Sequence, residues 1–148
     1  MTDRVSASIT IGGVLDRSTL PELESIVRHE GLSTDWDGAP FHLAELVDGK
    51  SLTLKAHEVA RGAFEALEAF CVRETLPFVR WSGACPGQWG AERLVFTGSG
   101  EPTRFPCDED DYVVIGEDHL QRLATFEAAL AYFEGANFVV PPIRLRDR

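Results

Sequence analysis

Residues 41–56 read FHLAELVDGKSLTLKA. Residues 41–47 are mostly apolar and read as a strand. Leu52, Leu54 and Ala56 then alternate with polar residues, the period of a half-buried strand. Asp48-Gly49 lies between the two runs, and Gly tolerates the positive φ that a tight hairpin turn needs. The stretch is therefore expected to form a β-hairpin, and the predicted topology follows from it.

The flanking segments extend the pattern. Upstream, Val5, Ala7, Ile9 and Ile11 alternate with polar residues as a first strand, which Gly12-Gly13 interrupts. Residues 18–31 then predict a helix. Thr19 and Glu22 have capping-box spacing, Pro21 fits the first turn, and Leu20, Leu23, Ile26 and Val27 share one face before Gly31. Residues 32–40, LSTDWDGAP, read as a loop.

Downstream, Val59, Ala60, Ala63, Phe64, Leu67, Phe70 and Cys71 recur at helical spacing, so a second amphipathic helix is expected over about 59–74, ended by Pro77. Short strands are expected at 78–81, 94–96, 104–106 and 112–115. A Gly-rich loop at 82–92 and a turn TGSGEP separate the first three. A last helical region starts near Glu117, breaks or bends at Thr125 and ends at Gly135. Leu120, Leu123, Phe126, Leu130 and Phe133 supply its apolar face. The tail, about 139–148, contains Pro141-Pro142 and should be extended, loose and basic.

The expected fold class is α+β: one domain, 1–148, with an antiparallel sheet and helices packed on one face. The first six elements have βαββαβ order, as in a ferredoxin-like sandwich, followed by extra strands and a C-terminal helix. That topology carries almost no information on function.

Composition narrows the function classes. The 148 residues hold 24 acids against 14 bases, a formal net charge of −10. Such a balance argues against direct nucleic-acid binding and against docking on anionic lipid. Solubility alone would also explain it. Cys71, Cys85 and Cys107 are odd in number and lack a CxxC pair, which fits neither a disulfide framework nor a zinc site. With no apolar run of eighteen residues and no signal-like N-terminus, a cytoplasmic protein is expected.

The charge is concentrated. Residues 99–118 contain Glu101, Asp108, Glu109, Asp110, Asp111, Glu117 and Asp118 against Arg104 alone, a net −6. The four contiguous acids lack the alternating spacing of a calcium loop, so no metal and no cofactor is expected. In an extended chain, alternate carboxylates stand roughly 6–7 Å apart, a spacing that could meet a phosphate-binding groove. A solvated sheet edge would use the same residues.

The leading expectation is thus a non-catalytic acidic interaction protein. Its partner would be a protein with a basic surface, and a sharp version is an anti-CRISPR-like inhibitor, a nucleic-acid mimic. Glu101, Asp108, Glu109, Asp110, Asp111, Glu117 and Asp118 would meet that partner, with Trp89 as an aromatic anchor. One alternative is a small enzyme or ligand-binding domain using the 82–92 loop, with Cys85 as a nucleophile served by a histidine. Another is a homo-oligomer that pairs through an edge strand. Asp35 and Asp37, flanking Trp36, read as a turn.

Overall fold

The computed structural model describes residues 3–147. Five strands form an antiparallel sheet: β1 (Arg4–Ile11), β3 (Leu52–Ala60), β4 (Phe78–Ser82), β5 (Glu92–Phe96) and β6 (Thr103–Pro106). Their spatial order is β3-β1-β4-β5-β6, with β1 antiparallel to both of its neighbours. A separate parallel pair joins β2 (Gly13–Asp16) to β7 (Ile143–Arg146). The helices are α1 (Leu20–His29), α2 (Glu65–Arg73), α3 (Glu117–Leu123) and α4 (Phe126–Ala136).

The α+β class and the antiparallel sheet match the sequence reading, but the βαββαβ order is not the one found. Residues 41–47 form no strand. Phe41 is fully buried, and Leu43–Glu45 make a 3-10 turn whose Leu43 packs on the core. Polar side chains stabilise this bend: the Glu45 carboxylate accepts from the His42 N–H at 3.0 Å and the Thr34 hydroxyl at 2.6 Å, and Glu24 accepts from the Leu43 N–H at 3.0 Å. Asp48-Gly49 is a turn, with Gly49 at φ +94° and Lys50 N–H donating to Val47 O. It serves the C-terminal strand instead of a hairpin. Asp48 Oδ1 accepts from Leu145 N–H, and Gly49 N–H donates to Ile143 O.

The other boundaries shift for local reasons. Glu58, Arg61 and Gly62 hold positive φ, so β3 runs on to Ala60 and α2 starts only at Glu65. The expected capping box on α1 is absent. Thr19 donates its hydroxyl to Asp16 O, and Glu22 pairs with Arg73 across to α2. Residues 112–115 contribute one bridge, Cys107 to Val113, and no strand. Helix α3 breaks from α4 at Ala124 (φ +68°), and Thr125 caps α4 by accepting from Ala128 N–H. Within the tail, Ile143–Arg146 form β7 against β2, and residue 148 lies outside the described residues.

The sheet is covered on both faces, not one. On one side Ala7, Ile9, Ile11, Leu54, Phe78 and Phe96 pack against Leu23 and Val27 of α1 and Leu67 and Phe70 of α2. On the other, Val79, Val95 and Phe105 meet Tyr132 and Ala136 of α4. The reason lies in β5: Leu94 and Phe96 point one way and Val95 the other, and all three are buried. Each face also buries an arginine. Arg80, 1% exposed, donates to Glu68 and Ser82 at 3.0 Å beneath α2, and Arg93 serves the α4 side. Among the described residues no helix is long and apolar enough to cross a membrane.

Glu30 joins the two helices of the first face. Its Oε1 accepts from Ala66 and Leu67 N–H at the start of α2, satisfying donors that a helix leaves open. Its Oε2 is buried without a partner. Burial pushes the Glu30 carboxyl above the usual carboxylate range, against the pull of those two N–H groups. The folded state therefore holds this proton more tightly than the unfolded chain does. Stability tied to the group is lost as pH rises through the raised pKa. Glu30→Gln keeps the acceptor and removes the charge. It should be at least as stable as the parent at pH 7, with the difference closing below about pH 4, as read by urea denaturation at both pH values.

The parallel pair depends on close backbone approach. A Cβ on Gly12 would lie 1.6 Å from Pro141 O, while Gly12 N–H donates to Pro77 O at 3.0 Å. Gly12→Ala should displace the C-terminal strand and cost about 3 kcal/mol in a denaturation experiment.

Candidate functional site

The acidic run is a folded loop. Asp108 Oδ1 accepts from Asp110 N–H and Tyr112 N–H, both at 2.9 Å, an Asx-type turn. Asp108 and Tyr112 are also joined backbone to backbone, and Asp108 O accepts from the Trp81 indole N–H at 3.1 Å. Glu109 Oε1 accepts from Ala84 N–H at 2.9 Å, so this acid fastens the 82–92 loop. Asp111, at φ +63°, turns inward to Arg93, with Oδ1 3.0 Å from Nε and 2.8 Å from Nη2. Arg93 Nη1 reaches Ala136 O at 2.8 Å and Asn137 Oδ1 at 2.7 Å.

The seven expected partner-binding acids are thus not one surface. Asp108, Glu109 and Asp111 hold the loop to β4, β5 and the end of α4. Asp110 has an exposed carboxylate with no side-chain partner among the described residues. Glu117 and Asp118 are exposed in the first turn of α3, a favourable end for negative charge. Glu101 sits in the β5–β6 turn, beyond the far end of β6 from Asp108, so the four-residue strand, roughly 13 Å, separates them. Trp89 is half-buried in a loop closed by paired hydrogen bonds with Cys85. With Phe105 and Arg104 it lines a shallow cavity of about 260 Å³.

The 82–92 loop supplies no activated nucleophile. Burial and the neighbouring Asp3 carboxylate push the Cys85 thiol up, away from the thiolate. Burial, with repulsion from Asp111, holds Cys107 higher still, at about 12. Ser82 is buried and accepts from Arg80. Among the described residues no group of three or more His, Cys, Asp or Glu is placed to hold a metal ion.

The exposed feature that sequence reasoning misplaced is apolar. Leu120, Phe126 and Leu130 read as part of a core face, yet they are 49%, 74% and 46% exposed. The residues of α4 that meet the sheet are Tyr132 and Ala136. The signal was present: residues 126–136 carry only Glu127 and Glu134 as charges, so α4 is apolar around most of its circumference. Phe126, Leu130 and half-buried Phe133 follow one another at helical spacing on α4, and Leu120 is exposed on α3 just before the α3–α4 corner. The chain matches no family model, no curated protein and no solved structure, so likeness assigns none of these residues a role.

The structural part played by the acidic run is measurable. Asp111→Ala leaves a buried guanidinium without its carboxylate and should cost about 2 kcal/mol, below the usual cost of breaking a buried pair because Asp111 is partly exposed. Asp110→Ala should change stability by less than about 0.5 kcal/mol. Urea denaturation of both variants makes the comparison.

Proposed function

We propose that the protein is an interaction module whose docking surface is the α3–α4 corner. The observation that carries this reading is Phe126, 74% exposed one turn from exposed Leu130 on α4, with Leu120 exposed on α3. Large side chains left in water on adjoining positions of a folded helix pair mark an interaction site. Aromatic residues of this kind dominate binding energy when a partner covers them.

The rim selects the partner. Residues 117–136 hold Glu117, Asp118, Glu127 and Glu134 against Arg122 alone among the fully charged bases. The complementary occupant is a protein segment with apolar anchors flanked by Lys or Arg, steered in by charge. A second copy of the chain would bring acid against acid. Asp110 extends the negative rim along the loop before α3. The narrower reading, an inhibitor that fills the basic groove of a nucleic-acid-handling enzyme, draws on Glu101, Asp110, Glu117 and Asp118. It gains less from Asp108, Glu109 and Asp111, whose carboxylates serve the fold.

A pair of synthetic amphipathic helices, one of Leu and Lys and one of Leu and Glu, tests the surface by fluorescence anisotropy. The Leu/Lys helix should bind, and its affinity should fall as salt rises. Phe126→Ser should weaken it about tenfold, consistent with loss of a hot-spot contact. The Leu/Glu helix should not bind. Equal binding by Phe126→Ser would place the contact elsewhere, and a concentration-dependent dimer in light scattering that Phe126→Ser abolishes would make the occupant a second copy.

A further inference from the structure

A second site lies at the β3 edge of the sheet. Strand β3 bulges against β1: Val5 pairs with Val59 and Ala7 with Ala56, so Ser6 alone stands opposite His57 and Glu58. Glu58 takes φ +57°, and Arg4 Nη1 donates to its carbonyl at 2.9 Å. A bulge of this kind re-aims a side chain and is common beside active sites. Here it brings His57 Nδ1 to 2.8 Å from Ser6 Oγ. On the other side of the ring, His57 Nε2 lies 3.6 Å from Asp37 Oδ1.

Residues from three separate segments therefore form a line of hydroxyl, imidazole and carboxylate. Asp37 also holds a positive φ, +59°, which a non-glycine residue rarely adopts. Trp36 stacks on His57 with ring centroids 4.8 Å apart and fixes the plane of the imidazole. Left-handed backbone at both Asp37 and Glu58, on the two sides of one ring, is the clustering expected where geometry is maintained for chemistry. His57 opens on a cavity of about 310 Å³ that Arg4, Arg61 and Phe64 line together with Glu30, Glu58 and Glu65.

We infer that Ser6, His57 and Asp37 form a nucleophilic site for acyl esters. Ser6 Oγ attacks the ester carbonyl carbon as His57 Nδ1 takes its proton. The bond to the alcohol oxygen breaks, and His57 returns the proton to that oxygen. Water, deprotonated by His57, then cleaves the acyl-serine, releasing the acid and restoring the Ser6 hydroxyl. Asp37 is a positioning residue, which holds the ring and balances its positive charge. The inference does not rest on the α3–α4 docking surface, since α4 packs on the face formed by β4, β5 and β6.

The test uses the native full-length protein and an alkyl fluorophosphonate, which forms an Oγ–P bond and releases fluoride while His57 takes the proton. Peptide mass spectrometry should place the label on Ser6, at a rate at least 100-fold above that of the urea-unfolded chain. His57→Gln should slow labelling about 100-fold. Asp37→Asn should slow it about tenfold, and Asp37→Glu should recover most of the loss, which a merely structural role would not produce. The protein should cleave 4-nitrophenyl acetate, and His57→Gln should slow that cleavage about 100-fold. Labelling no faster than in urea, labelling spread over other serines, or a rate unchanged in folded His57→Gln would overturn the assignment.

Discussion

Arg93 is the point on which the second half of the molecule depends. It projects from β5 on the α4 side and is 8% exposed. Its five N–H groups all find acceptors: Asp111 Oδ1 twice, Asp111 O, Ala136 O and Asn137 Oδ1. A guanidinium taken out of water needs this, because any unmatched donor would carry its full desolvation cost. Saturating it fixes three chain segments at once: strand β5, the acidic loop and the C-terminus of α4, whose open carbonyl attracts a cation. No apolar contact could set the angle between loop and helix so narrowly, since apolar packing has no direction.

This constraint explains where the large side chains of α4 end up. Fastened at Ala136 and lying close on Val95 and Phe105, the helix presents a small residue, Ala136, to the sheet, with Tyr132 against Phe105 at its flank. Small residues allow close approach. They leave Phe126 and Leu130 on the outside, because the face 100° or more away cannot also reach the sheet. The apolar surface is thus a consequence of how the helix is anchored and not a defect of packing. Stability has no use for Phe126 in water, so another constraint must account for it, and covering by a partner supplies one.

Much of the architecture was legible because it is local. The alternation in Val5–Ile11, the apolar stripe of α1 and the break near Thr125 each follow from residues within a few positions. What was not legible depends on partners far away in the chain. The β2–β7 pair joins segments about 130 residues apart, and neither four-residue strand carries a periodic signal. Residues 41–47 had strand-like apolar content, but their backbone donors were claimed by Glu45 and Glu24, one of them on α1. The acidic run looked like a surface because sequence counts charges and does not show which way they point. Asp111 and Arg93 are eighteen residues apart, and nothing in either neighbourhood announces the other.

The same limit hid the Ser6–His57–Asp37 line, and the reason bears on its meaning. Ser6 lies in a strand whose other residues read as framework, and Asp37 lies in a segment that reads as a turn. Only the extra residue in β3 turns His57 toward both. Removing that residue would restore a regular ladder, with better hydrogen bonding and no left-handed Glu58. The sheet would be no less able to cover its core, since Ala56 and Val59 could pair in register. The bulge is therefore unexplained by the needs of the fold, as Phe126 is. Both irregularities stand outside the regular ladder, the bulge at the β3 edge and Phe126 on the helix that covers one face of β4, β5 and β6, while β1 and β4 stay regular. A rigid centre holding irregular margins is the arrangement in which a protein can carry function without loosening its core.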